Sequence, residues 1–230
     1  MQFNGFVIPD DLIENAAKVL DEAKLPPCKL GAECQVFWEG RDYPYPDYHW
    51  HVDLQYTEKL HHMTCGVFVY RKTRLFWKYP DPTVGRPAPD DPYYMLTSDA
   101  RIQNVDETCR GRSRGNLYPV KMLIPARYLE AIILLKLRDH DQRTMHWGAE
   151  YLYLIGVVEL GVNIKLEDLA EPFHELVRRY IDKSYYGKVA DMGGHKFFEQ
   201  LRKEMKSGNQ LPPPEIWAEV LKTIHAPKGE

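Results

Sequence analysis

The spacing of apolar residues changes near residue 120, and no single element type accommodates both spacings. Ahead of that point, short runs rich in β-branched and aromatic side chains stand between turn residues: "CQVFW" at 34–38, "YHWHVDLQY" at 48–56 and "CGVFVY" at 65–70. Such runs predict strands of one sheet. Behind it, "PARYLEAIILLKLRD" carries Leu129, Ile132, Ile133, Leu135 and Leu137 on one helical face and opens on Pro125, which suits a first helical turn. "MHWGAEYLYLIGVVELG", "KLEDLAEPFHELVRRYID", "KFFEQLRKEM" and "PPEIWAEVLKTIH" predict further helices. One helix precedes the strands. In "PDDLIENAAKVLDEAKLPP", Leu12, Ile13, Ala16, Ala17 and Leu20 form an apolar stripe, an aspartate after Pro9 serves as cap, and Pro26 and Pro27 stop the helix. The proline-dense stretch 78–116 reads as a long ordered loop, and loops of that length tend to be functional. The expected fold class is therefore α+β: a sheet core with its loop over 1–120, a helical part packed on it over 121–225, and a tail at 226–230.

A chain of 230 residues with a formal charge of -3 and a pI near 6.3 is long enough for a sizeable core and has no global pull toward nucleic acid or membrane. No leader pattern and no run of about 18 apolar residues occur, so the expectation is a soluble, cytoplasmic protein whose partner is a small molecule. Cys28, Cys34, Cys65 and Cys109 lack CxxC pairing and are expected to be buried or idle thiols in a reducing compartment.

Strand alternation places His49, His51 and Asp53 on one face and Trp50 and Val52 on the other. Two imidazoles and a carboxylate at that spacing suit zinc or non-haem iron, with His61 and His62 the nearby supply of a further ligand. A hydrogen-bonded polar face is the preferred alternative, and Asp53 alone as the remnant of a magnesium site is the third. "RGRSRGNLYPVKMLIPAR" gathers Arg110, Arg112, Arg114, Lys121 and Arg127 without an acid, which suits a phosphate or carboxylate, with a solvated loop the preferred reading. Tyr93, Tyr94, Tyr118, Trp147, Tyr151 and Tyr153 belong to the core or wall an apolar pocket.

The segments "FVIPDDLIENAAKVLDEAKLPPC", "HWHVD", "APDDPYYMLTSD" and "LYPVKMLIPARYLEAIILLKLRD" together resemble fungal proteins of nucleotidyltransferase-like fold, over residues 6 to about 180. That resemblance implies a mixed sheet on which a D-x-D pair and a third acid hold magnesium against a nucleotide triphosphate. Phe3 and Gly5 fill the positions of the acid pair, Asp53 matches the third acid, and the preceding phosphate-cradling turn has no counterpart ahead of Met1. One carboxylate does not replace three, so the resemblance implies a metal-free, cofactor-free cleft.

The function expected from this is intramolecular cyclisation of an apolar polyene of fungal secondary metabolism, a Diels–Alder-type reaction driven by substrate folding. His49, His51 and Asp53 would be the catalytic polar group, one histidine donating to a carbonyl. Lys121 and Arg127 would anchor an oxygen, and Tyr94, Tyr118 and Trp147 would form walls. Two alternatives stand: a magnesium-dependent transferase using Asp47, Asp90 or Asp91, and a non-catalytic binding protein.

Overall fold

The expected stripe folds as a helix from Ile13 on, while Leu12 lies in the turn ahead of it and is exposed. Helix α1 (Ile13–Glu22) follows a 3-10 turn at Asp10–Leu12 and buries Ile13 and Ala17. Its ends differ from the expectation. Asp10 does not cap its own helix; its carboxylate accepts from the Thr73 amide at 3.0 Å and from the Thr73 hydroxyl, tying the start of α1 to the short helix α2 (Lys72–Leu75). The helix also stops before the two prolines. Lys24 takes a left-handed φ of 59°, and the amides of Ala23, Lys24 and Leu25 close on the carbonyls of Val19, Asp21 and Leu20.

The computed structural model describes residues 3–25, 28, 34, 36, 44–51, 66–102, 118–141, 146–161, 163–182 and 194–214. The strand expected at 34–38 and the last predicted helix lie largely or wholly outside these residues. In the described part of the N-terminal unit, which runs to Asp81, β1 (Phe3–Ile8), β2 (Tyr48–His51) and β3 (Gly66–Arg71) form a sheet in the order β1-β3-β2. β1 runs parallel to β3, and β2 antiparallel to it. Trp50 and Val69 pack with Ile13 and Ala17 in one small core, supported by Tyr48, Val67 and Ile8. Helix α1 therefore covers one face of the sheet. By strand alternation, His49, His51 and Phe68 take the opposite face. The register sets two rows across that face: Gly5, Phe68 and His49, then position 3, Gly66 and His51.

The second unit, Pro82–Pro213, is described by itself. Its start lies upstream of the change in residue spacing near 120, because the stretch expected as loop contributes a strand. β4 (Tyr94–Leu96) pairs antiparallel with β5 (Lys121–Leu123), and the Asp91 carboxylate holds the Tyr93 and Tyr94 amides at 2.8 Å ahead of it. α3 (Pro125–Arg138) has Pro125 in its first turn and fully buries Leu129, Ile132, Ile133, Leu135 and Leu137. It packs against α4 (His146–Glu159) and α6 (His195–Ser207). The helix expected across 165–182 is instead a 3-10 turn at Leu166–Asp168 followed by α5 (Phe173–Ile181). Pro172 is the reason: it has no N–H to give and disfavours helical geometry at the residue before it. Among the described residues, no helix is long and apolar enough to cross a membrane.

Candidate metal centre

β2 is held in place from behind. Trp50 is buried, and its indole N–H donates to Asp21 of α1 at 2.8 Å. At the start of the strand, Asp47 accepts from the Arg71 amide at 2.9 Å and from the guanidinium groups of Arg71 and Arg74. Tyr48 donates to Glu14; burial first, then this bond and the Glu14 charge, push its hydroxyl pKa up to about 12. Gly66 faces His51 across the ladder. A Cβ there would lie 2.9 Å from the Trp50 carbonyl oxygen and 2.8 Å from the Phe68 ring, so glycine is what lets β2 and β3 approach.

On the opposite face of this fixed strand, the two imidazoles converge. His49 Nε2 lies 3.3 Å and His51 Nε2 3.4 Å from the same atom, the buried Cys34 Sγ, and the rings meet edge to face with centroids 5.2 Å apart. Cys28, half-buried, completes a group of four whose donor atoms all lie within 4.8 Å of one another. The Val36 amide points at Cys34 Sγ from 3.4 Å, a backbone N–H that disperses thiolate charge.

This geometry fits a cation. With bonds of about 2.3 Å to sulfur and about 2.0–2.1 Å to nitrogen, a tetrahedral zinc ion sets sulfur–nitrogen edges of about 3.6 Å. The observed separations stand close to that edge. One cation at the centre holds the sulfur and both nitrogens at these separations at once. Two thiolates and two imidazoles are a set that selects zinc rather than magnesium or calcium.

Cys28 and Cys34, two of the four cysteines expected to be buried or idle, supply half of this group, and the site expected to hold no metal has four soft and borderline donors. In sequence the four residues read Cys28-x5-Cys34 and then His49-x-His51, a spacing outside the CxxC pattern, so no sequence signal marks the cluster. Asp53, expected beside the histidines, lies outside the described residues, as do His61, His62, Cys65, Cys109, Arg110, Arg112 and Arg114.

The remaining predicted site residues belong to the second unit, and most have structural work there. Tyr94 is buried in β4, whereas Tyr118 is 87% exposed. Lys121 donates to the Thr83 carbonyl, and Arg127 pairs with the buried Glu130, whose carboxylate also takes the Ala170 amide at 2.7 Å. Trp147 donates to Asp139 at 3.0 Å and lines a cavity of about 370 Å³ with Lys136, His140 and Leu152. Burial lowers the Lys136 pKa, and its ammonium lies 4.1 Å from the centre of the Phe198 ring. Of the acids considered as replacement magnesium ligands, Asp47 is committed to arginines and Asp91 to backbone amides. No protein family, curated protein or solved structure matches the chain.

Proposed function

We propose that this is a zinc-binding protein whose N-terminal unit is closed by Cys28, Cys34, His49 and His51, on a sheet of degenerate nucleotidyltransferase type. The single observation that carries the reading is the convergence of four donor atoms within 4.8 Å. Four protein ligands fill a tetrahedral shell, which is the signature of a structural ion and leaves no open position for substrate. The ion's work is to hold Cys28 and Cys34 against β2 in a unit whose described core cluster is small.

The register supports the nucleotidyltransferase part. Positions 3 and 5, where the resemblance places the magnesium-binding acids, share cross-sheet rows with His51 and His49. A face suited to a hard cation at β1 would have become one suited to a soft cation at the β2 edge. With both imidazoles committed to zinc, neither donates to a substrate carbonyl. Cyclisation or ligand binding, if the protein performs either, belongs to other residues.

Metal analysis of the purified full chain tests this. We expect one zinc per chain, cobalt substitution giving the absorption of a tetrahedral S2N2 centre, and loss of metal in Cys34→Ser and His51→Ala. Protein that neither contains nor takes up a stoichiometric ion would overturn the proposal.

A further inference from the structure

Building on the zinc reading, we propose that Cys28 and Cys34 are also a modification site, where a peroxide oxidises the two zinc thiolates to a disulfide and releases the ion. The two sulfurs are unequal. Cys34 Sγ is buried, accepts the Val36 amide at 3.4 Å and has the Nε2 atoms of both imidazoles 3.3–3.4 Å away, so it is shielded. Cys28 is only partly buried and is therefore the more accessible of the two to a small oxidant. The sulfurs are at most 4.8 Å apart, since every donor atom of the cluster lies within that distance of the others. A disulfide needs about 2.05 Å, a closure within reach of side-chain rotation and a small shift of the chain.

The chemistry balances with hydrogen peroxide as the oxidant. Cys28 thiolate attacks one peroxide oxygen; the O–O bond breaks, Cys28 becomes a sulfenic acid and hydroxide leaves. Cys34 thiolate then attacks the Cys28 sulfur; an S–S bond forms, the S–O bond breaks and a second hydroxide leaves. Two electrons pass from the sulfur pair to peroxide, and two protons from solvent convert the hydroxides to water. His49 and His51 alone then face the ion, and two imidazoles do not retain zinc against solvent and competing chelators. A thiol reductant with added zinc reverses the change.

The test uses the zinc-loaded full chain with Cys65→Ser and Cys109→Ser, so that the pair are the only thiols. Metal content is measured before peroxide is added. With peroxide, we expect release of one equivalent of zinc to a chromogenic chelator, loss of both thiols, a mass decrease of two hydrogens and a peptide cross-linking Cys28 to Cys34, all reversed by dithiothreitol and zinc. Zinc-loaded protein that keeps its ion and both thiols would overturn this proposal while leaving the zinc reading intact, as would zinc release with a sulfinic acid on one cysteine and no cross-link. Protein without zinc before treatment would overturn the zinc reading itself.

Discussion

At the scale of single residues, Gly66 shows how little space the ligand strand has. The neighbour at 2.9 Å is a backbone carbonyl, which does not move aside as a flexible side chain would. Gly66→Ala should therefore destabilise the N-terminal unit by about 1–3 kcal/mol, the usual cost of overpacking. Urea unfolding followed by fluorescence checks this; a variant as stable as the parent would show that the two strands separate freely. Part of the same region was legible in the sequence. The alternation of Tyr48, His49, Trp50 and His51 assigned each side chain to its face, because a strand has a period of two and Trp50 belongs in a core. The cysteines were not legible. Nothing in a five-residue spacer announces that two thiols meet two histidines of a strand fifteen residues on; the fold makes that juxtaposition.

Among elements, the join of α3 to α4 rests on one buried carboxylate. Asp139 takes Arg138 Nε at 2.7 Å and Nη2 at 2.8 Å, and also the Trp147 indole N–H, with both charged side chains almost wholly buried. Asp139→Ala takes one partner out of a buried ion pair, and such a removal costs about 3–5 kcal/mol. The exposed Arg101–Asp99 pair gives the contrast: Asp99→Ala should cost under about 1 kcal/mol. Chemical denaturation of both variants measures the difference, and equal losses would refute the burial argument. α3 itself was plain from sequence, since its apolar period and Pro125 agree. The break before α5 depended on Pro172, and β4 lay hidden among prolines because three residues make too short a run to show a period.

For the whole molecule, the two units differ in what holds them. Pro82–Pro213 buries most of α3 and matching residues of α4, α5 and α6. The described N-terminal core cluster has four buried residues, Ile13, Ala17, Trp50 and Val69. An ion adds RT ln(1 + [L]/Kd) to the stability of the unit that binds it folded. Removing zinc with a chelator should lower one thermal transition by about 4–8 °C for each kcal/mol lost and leave the other in place. Calorimetry with and without chelator decides, and two transitions that move together would refute the assignment. The indole behind β2 carries one more consequence. Because Trp50 and its bond to Asp21 fix the strand from the side facing α1, the imidazoles stand ready before any ion arrives. Capture then asks little rearrangement of β2, so its pairing with β3 should survive removal of the ion.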